Sequence, residues 1–370
     1  MPRGRELVGH SNALAGNKDV ITIPKRVGFL YEKMLDRAFI AETIRLAANG
    51  KKKRRSVRRV LANIDAYAEK LLVMLRTDSF IPTKPKIKRV YDVSSRKWRD
   101  IKVVPFYPDG CVHWLCVRAM QPVLMRGMHH WSCASIPGRG GARAMRQITR
   151  MVQRRPKDSR YCAQMDVRKF YDSIPPDGIR RALKRKIKDK RFVNLVMRII
   201  ADGLAIGYYI CQWLANYYLE TLDRVLCSCK GVVCEVRYMD NVTIFGRSKR
   251  ALHKAVKAAE QHLQTLGLTL KNDWQVYPIR KRKVDAVGYK FGRNAVVLRK
   301  RSLLRTLRQL RRAAKRERVS AKMAQALLSR LGRLKWCASK TIMVKYVRPV
   351  GVRNLKGVIR IESARRRQTA

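Results

Sequence analysis

Hydrophobic residues recur at helical spacing through two segments near the N-terminus. Residues 28–47 have this spacing, which predicts one helix ended by Asn49 and Gly50. A second amphipathic helix is predicted from about residue 56 to residue 76. The basic run between them, residues 51–55 (KKKRR), is either a solvated loop or a segment that contacts phosphates.

The pattern then changes to short strands. The segments KIKRVYDV and WRDIKVVPF predict a hairpin rich in Lys and Arg, joined near Ser94 and Ser95. A helix is predicted at about 112–127, and a glycine-rich stretch (PGRGG, residues 137–141) opens another. Residues 160–292 alternate apolar strands with helices, which predicts an α/β centre with an antiparallel sheet.

The C-terminal part is helical and basic. The segment RSLLRTLRQLRRAAKRER predicts one helix from about residue 300, and a second helix is predicted to run through Trp336. The final segment, ARRRQTA, is polar and charged, and we expect it to be disordered.

Charge narrows the possible functions. The 370 residues include 84 Lys and Arg against 26 Asp and Glu, a formal net charge of +58, while 46% hydrophobic residues still allow a core of two or three packed units. Such self-repulsion opposes compaction, and a polyanion relieves it because binding releases counterions. Nucleic acid is the predicted partner, and ribosomal or membrane-surface binding are the alternatives.

Cysteine usage and hydropathy indicate the compartment. Nine cysteines, an odd number scattered through apolar segments, predict reduced thiols in a cytoplasmic protein. Cys227, Cys229 and Cys234 lie close together but lack C-x-x-C spacing and a histidine nearby in sequence, so buried small hydrophobic side chains are favoured over a zinc site. We expect no signal peptide, since residues 1–5 lead into polar sequence, and no membrane span or membrane partner, since no window approaches 18 apolar residues.

Two acidic residues fall where apolar strands end. Asp166 closes one predicted strand, and Asp240 precedes Asn241 where two further strands meet. Each has a simple explanation, because Asp-Asn favours hairpin turns and a lone Asp can cap a helix. Together they suggest two-metal nucleotidyl transfer, in which carboxylates on neighbouring strands hold two Mg²⁺ ions roughly 3.5–4 Å apart. Magnesium prefers such hard oxygen ligands.

Five segments in order resemble the palm motifs of reverse transcriptases of the compact bacterial or phage type: DVRKFYDSI, GLAIGYYICQWLANYYLETLD, RYMDN, LGLTLKNDWQV and DAVGYKF. The likeness spans most of residues 85–345. It implies an α+β right-hand polymerase fold and RNA-directed DNA polymerase activity. The implied divisions are a basic helical N-terminal extension (1–84), fingers (85–160), a palm with an antiparallel sheet (161–295), a helical thumb (296–350) and a basic tail (351–370).

The resemblance also implies roles for palm residues. Asp166 and Asp240 match the aspartates that bind the two Mg²⁺ ions, with Mn²⁺ as a possible substitute. Tyr171 matches the aromatic steric gate that excludes a ribose 2′-hydroxyl, and Lys271 matches a lysine near the triphosphate of the incoming deoxynucleotide. Gly288 and Tyr289 match the primer-grip turn.

Basic residues outside the palm complete the implied site. Lys97, Arg99 and Lys102 either neutralise the incoming triphosphate or form a solvated strand face. Arg139 and Arg143, beside the glycine-rich turn, could contact a phosphate. The segment LLSRLGRLKWCASKTIMVKYVRP, which includes Lys335, resembles a thumb helix that follows the backbone of an RNA–DNA duplex, or of an RNA template with its DNA primer.

Two departures from the family pattern refine the expectation. Cys211 and Gln212 stand where many members have Ser-Pro, which resembles the enzymes of diversity-generating retroelements and some phage-defence groups. The first kind works with a small basic accessory protein. In that case Ile206 and Gln212 lie against the template and incoming base; otherwise they form a packed helix N-terminus. Ala205 also replaces a usual proline.

The second departure concerns the metal site. Asn241 stands where the family has a second aspartate, so it keeps one coordinating oxygen but removes a negative charge. Three hypotheses follow: an active reverse transcriptase, a catalytically impaired RNA-binding or defence scaffold of the same fold, and an unrelated basic nucleic-acid-binding protein. The last predicts that Asp166 and Asp240 do not share a cleft.

Overall fold

The computed structural model describes residues 26–92 and 97–368, so the predicted hairpin turn at Ser94 and Ser95 lies outside the described residues. In place of the first predicted helix the chain forms two helices, α1 (Leu30–Met34) and α2 (Arg37–Ala47). A new helix begins after Asp36 because the Asp36 side chain caps α2, accepting a 2.8 Å hydrogen bond from the N–H of Ala38. The prediction of one continuous helix is therefore wrong.

The second predicted helix is also divided. It forms α3 (Arg55–Ala62) and α4 (Ile64–Arg76), because Asn63 leaves the helical conformation with φ −139°. Helices α2 and α4 pack together, and α2 also packs against α5 (Cys111–Met125), which is buried along most of its length as its apolar sequence predicts.

The predicted basic hairpin is present. Strands β1 (Lys86–Asp92) and β2 (Lys97–Val103) form a two-stranded antiparallel sheet of mostly exposed residues. The N–H of Lys102 donates to the carbonyl oxygen of Ile206 (2.9 Å), which ties the hairpin to the centre of the molecule.

Seven helices belong to the middle of the chain: α6 (Gly141–Thr149), α7 (Phe170–Ser173), α8 (Pro176–Lys186), α9 (Lys190–Ile199), α10 (Tyr209–Tyr218), α11 (Glu220–Ser228) and α12 (Lys249–Thr265). Single π-helical turns lie at Arg150–Arg154 and Met343–Val347. The segment Phe106–Gly110 before α5 is kinked at Tyr107, whose backbone is extended (φ −127°, ψ 134°). No helix in the described ranges is both long and apolar enough to cross a membrane.

The central sheet confirms the antiparallel prediction. Its four strands are β3 (Tyr161–Asp166), β4 (Val232–Tyr238), β5 (Asn241–Gly246) and β6 (Gln275–Pro278), in the spatial order β4-β5-β3-β6. Every neighbouring pair is antiparallel. Helix α12 contacts all four strands and buries Leu252, Val256 and Leu263, which places the core beneath the sheet.

The C-terminal part combines a small sheet with helices. Strands β7 (Val284–Ala286), β8 (Tyr289–Phe291) and β9 (Val296–Leu298) are antiparallel, followed by α13 (Lys300–Ala314), α14 (Ala321–Leu334), α15 (Lys340–Ile342) and α16 (Val352–Gln368). Helix α16 packs on α14 and includes residues 364–368, so the expected disorder is wrong for those residues.

A fully buried ion pair joins the sheet to the helices beside it. The guanidinium of Arg237 on β4 donates from Nε and Nη2 to both carboxylate oxygens of Asp223 on α11, the Nη2–Oδ2 distance being 2.7 Å. It also donates to the side-chain and backbone oxygens of Asn216, each at 3.2 Å. Planar, bidentate pairing satisfies charges that would otherwise be costly to bury.

Replacing Asp223 with alanine leaves the Arg237 guanidinium buried without its counter-charge. We therefore expect Asp223→Ala to lower the free energy of unfolding by about 3–5 kcal/mol. Denaturation in urea, followed by circular dichroism, measures the change.

The matched control is Asp177→Ala, which removes one partner of the exposed Arg180–Asp177 pair (Nε–Oδ1 3.8 Å). Its cost should stay below about 1 kcal/mol, because water screens exposed pairs. Equal losses in the two variants would contradict the role given to the buried pair.

Candidate active site

The structure brings the two predicted metal-binding carboxylates together at one edge of the central sheet. Asp166 is the last residue of β3, and its Cα lies opposite that of Asn241 in the antiparallel register. Asp240 lies in the two-residue turn between β4 and β5. Burial and the neighbouring Asp166 carboxylate raise the pKa of Asp240 to about 6, whereas Lys271 lowers it.

The turn that carries Asp240 has a strained backbone. Met239 has φ +61°, a left-handed conformation that is unfavourable for a long side chain. Two contacts hold it: Nη1 of Arg237 donates to the carbonyl oxygen of Met239 (3.0 Å), and the Tyr171 hydroxyl lies 3.8 Å from the Met239 sulfur. The buried ion pair thus fixes the position of the turn.

The oxygens at this edge fit a divalent cation. Oδ2 of Asp166 pairs with Nζ of Lys271, whereas Oδ1 is buried and has no hydrogen-bond partner in the described part of the chain. An unsatisfied buried carboxylate oxygen is unusual, and hard cations prefer such ligands. Asn241 donates from Nδ2 to Oδ1 of Asp240 (3.2 Å) and is itself exposed.

A cleft of about 680 Å³ opens beside these carboxylates. Its walls include Asp240 together with Tyr171, Lys271, Lys97 and Arg99. The structure therefore gathers five of the predicted residues into one cavity, although they come from distant parts of the chain. Arg99 also lines a second cleft, of about 430 Å³, whose walls include Asp240, Asn241 and Gly288.

Tyr171 is anchored rather than free. It follows Phe170, which is buried, and its ring packs edge-on against that of Phe170 with centroids 5.8 Å apart. Burial, with the nearby Cys211 thiol and Asp240 carboxyl, raises the pKa of the Tyr171 hydroxyl, which therefore stays neutral. The side chain forms a fixed wall next to Asp240.

The Gly207 region places the basic hairpin over the same cleft. Gly207 has φ +115°, and a Cβ there would lie 2.3 Å from the carbonyl oxygen of Lys102, so only glycine allows this close approach. Ile206 lines the cleft. Gln212 is half-buried on α10 and is not among the residues that line this cleft. Lys102 contributes its backbone to this contact.

The predicted phosphate-binding residues lie elsewhere. Nη1 of Arg139 turns inward and donates to the carbonyl oxygens of His129 (2.6 Å) and Ser132 (3.0 Å), so this guanidinium holds the glycine-rich loop. Arg143 lies over the ring of Trp131, 5.1 Å from its centroid. Arg143 and Lys335 line another cleft, of about 650 Å³, which is thus separate from the carboxylates.

Sequence reasoning missed the residues that support the site. Arg237 lies in a strand next to an exposed tyrosine, and nothing in its local sequence indicates that it is buried. Its partners Asp223 and Asn216 are on helices α11 and α10. The positions of Asn216 and Asp223 in largely apolar helical segments were the one available signal. Charged and amide side chains are seldom buried unless they are paired, so such positions indicate a buried polar contact.

A sequence model of the reverse transcriptase (RNA-dependent DNA polymerase) family matches residues 85–291. This range covers more than half of the chain, and the protein therefore belongs to the reverse transcriptase family and has its right-hand polymerase fold. No sequence among curated proteins matches it.

Solved structures similar to this chain include two of apo telomerase from Candida tropicalis. The form truncated from its C-terminal domain is 12% identical, with 61% of this chain and 58% of that one covered and a TM-score of 0.43. The other is 12% identical, with 68% and 51% covered and a TM-score of 0.46. The chain thus spans somewhat more than half the length of these relatives.

The raised pKa of Asp240 predicts a pH-dependent stability difference. The folded state binds this proton more tightly than the unfolded state, so the associated stability is complete below about pH 4 and is lost as pH rises through about 6. Asp240→Asn mimics the protonated acid. With metals chelated, we expect its free energy of unfolding to exceed that of the natural chain by about 1–3 kcal/mol above pH 7.

Urea denaturation in EDTA at a series of pH values measures this difference. It should shrink towards zero as the pH approaches 4, because the natural side chain is then protonated as well. A difference that does not change with pH would show that the pKa of Asp240 is not raised in the folded protein.

Proposed function

We propose that this protein is an RNA-directed DNA polymerase that adds deoxynucleotides to a primer on an RNA template. The observation that supports it best is the meeting of Asp166 and Asp240 at one sheet edge, beside a cleft lined by Tyr171 and basic side chains. Family membership supports the same reaction class.

Asp166 and Asp240 are the residues that would hold the metal. A pair of Mg²⁺ ions, when bound, lowers the barrier by polarising the primer 3′-hydroxyl and balancing the charge of the triphosphate. The protein's own part is positional: Lys271 neutralises Asp166 in the free site, and Lys97 and Arg99 present positive charge to an incoming triphosphate.

Tyr171 is proposed to select the sugar. Its ring is held by Phe170 and by the Met239 contact, so it cannot move aside easily when a nucleotide enters. A rigid aromatic wall beside the reacting carboxylates would clash with a ribose 2′-hydroxyl but leave room for deoxyribose. Discrimination of this kind arises from steric exclusion and not from hydrogen bonding.

The distribution of basic residues supports the division of the chain into fingers, palm and thumb. We assign the β1–β2 hairpin and residues up to 160 to the fingers, residues 161–295 to the palm and residues 296–350 to the thumb. Helices α13 and α14 are rich in Arg and Lys on their exposed sides, which suits contacts along a duplex backbone. Residues 351–370 are assigned to the basic tail.

A narrower assignment rests on Gln212 and its neighbours. The Cys211-Gln212 pair lies directly after the Gly207 turn, whose Ile206 lines the nucleotide cleft. We place the chain with the error-prone enzymes of diversity-generating retroelements or with related phage-defence proteins, and a small basic accessory protein is the expected partner of the former.

Asn241 supports a second candidate function, a catalytically impaired scaffold that binds RNA. Its amide is neutral and donates to Asp240 (3.2 Å), so the site has one carboxylate fewer than the family pattern. The two candidates differ in whether the natural chain extends a primer.

Primer extension on an RNA template, with Mg²⁺ or with Mn²⁺, decides between them. We expect the natural chain to extend the primer, Asn241→Asp to extend it faster because it restores a charged ligand, and Asp240→Ala to give only background. RNA affinity should remain nearly unchanged in all three, because phosphate contacts by Lys and Arg dominate it.

Extension by Asn241→Asp alone would establish the scaffold as the natural function. Failure of both, with RNA binding intact, would exclude the polymerase proposal. A loss of RNA affinity in Asp240→Ala would instead indicate that Asp240 is needed for the fold.

The gate proposal predicts a change in sugar selectivity. Tyr171→Ala should increase incorporation of ribonucleotides relative to deoxynucleotides by about 10-fold or more, because the steric clash is removed. Tyr171→Phe is the matched control, since it keeps the ring and loses only the hydroxyl contact with Met239. Single-nucleotide insertion assays measure both ratios, and an unchanged ratio in Tyr171→Ala would refute the gate.

A further inference from the structure

Three side chains with metal-binding atoms meet away from the polymerase cleft. They are His129 in the segment between α5 and α6, Cys227 on α11 and Glu235 on β4. One ligand atom from each lies within 4.8 Å of the others. The Cys227 sulfur is 3.4 Å from Oε2 of Glu235 and 3.5 Å from Nε2 of His129, and Nδ1 of His129 is 3.5 Å from the same Oε2.

Two buried atoms in this group are unsatisfied. The Glu235 side chain is completely buried, and within the described part of the chain its Oε1 and the Nδ1 of His129 have no hydrogen-bond partner. A buried carboxyl group with an idle oxygen is costly and calls for an explanation.

The three groups are held in their neutral forms. Burial and the nearby Asp223 carboxylate raise the pKa of Glu235. Cys227 is exposed as a residue, but partial burial of its thiol, followed by the Glu235 carboxyl, raises the pKa of Cys227 to about 12. Burial lowers the pKa of His129, and the neighbouring His130 lowers it further, so the imidazole is neutral and can act as a ligand. A divalent cation would compensate the charges that deprotonation of Cys227 and Glu235 creates.

We propose that His129, Cys227 and Glu235 form a zinc-binding site. Zinc accepts this mixture of thiolate, imidazole and carboxylate, whereas Mg²⁺ requires oxygen ligands. Tetrahedral zinc with bonds of roughly 2.0–2.3 Å places its ligand atoms about 3.3–3.8 Å apart. The Cys227 sulfur has this spacing both to Oε2 of Glu235 (3.4 Å) and to Nε2 of His129 (3.5 Å). Cys227 is exposed, so a water molecule can complete the coordination from the solvent side.

The location gives the ion a structural consequence. The segment that carries His129 continues into residues bonded to β4: the N–H of Arg237 donates to Trp131 O (3.1 Å), and the N–H of Cys133 donates to Arg237 O (2.9 Å). Strand β4 is the edge of the central sheet and leads to the Met239–Asp240 turn. Zinc would therefore join this segment, α11 and β4 beside the support of the catalytic turn.

Titration of the reduced, full-length protein with Co²⁺ tests the proposal. A thiolate ligand gives an intense near-ultraviolet charge-transfer absorption that the oxygen ligands at Asp166 and Asp240 cannot produce. We expect this absorption to saturate at one ion per chain and to be displaced by Zn²⁺. Cys227→Ser should abolish it, and Glu235→Gln should weaken binding at least about 10-fold.

Cys229→Ser is the matched control, because Cys229 follows two residues later and its thiol donates a hydrogen bond to the Val225 carbonyl (3.1 Å) and not to His129 or Glu235. It should retain the full absorption. Zinc should also raise the melting temperature of the natural chain and of Cys229→Ser, but not that of Cys227→Ser. Circular dichroism checks that each variant is folded.

Three results would overturn the proposal. They are absence of the thiolate absorption in the natural chain, its persistence in folded Cys227→Ser, and its equal loss in Cys229→Ser. None of these readouts depends on polymerisation, so the zinc site and the polymerase proposal stand or fall separately.

Discussion

Arg237 brings a full positive charge into the interior, and the shape of the sheet edge that carries Asp166 and Asp240 depends on how that charge is satisfied. The guanidinium of Arg237 donates five hydrogen bonds. Asp223 and Asn216, which lie on two helices, accept four of them, and the carbonyl oxygen of Met239 accepts the fifth. A strained turn persists only where its surroundings determine it. The ion pair thus couples the packing of α10 and α11 to the position of Asp240, and removing one partner would affect both.

The two neighbouring carboxylates, Asp166 and Asp240, also have an electrostatic cost. Asp240 is half-buried next to Asp166, and partial burial, followed by the Asp166 carboxylate, raises its pKa, so its charged form is disfavoured without a cation. Lys271 relieves part of the repulsion through Asp166. On a larger scale, a net charge of +58 opposes compaction. The proposed divalent cations would supply the opposite charge at the carboxylates, and bound nucleic acid would supply it for the chain as a whole.

Local patterns were enough to predict the elements that carry the site. The apolar strand that ends at Asp166, and the two apolar strands around Asp240, identified strand ends, and antiparallel pairing then placed both carboxylates at one edge. Helix interruptions at Asp36 and Asn63 were missed because polar residues there also suit an exposed helix face. Arg237 with Asp223, and His129 with Cys227, are contacts between distant segments, which no local spacing records.

Asn241 follows from the same electrostatic reasoning. A third carboxylate would lie beside Asp240, where burial and Asp166 already disfavour ionisation, and would raise that pKa further. The amide removes this repulsion and donates to Asp240, so the metal-free site is easier to maintain. The same substitution weakens the attraction for a cation, because Coulomb energy scales with the ligand charge. A site built in this way exchanges metal affinity for stability of the empty cleft, and its activity should therefore depend more steeply on divalent-ion concentration than that of Asn241→Asp.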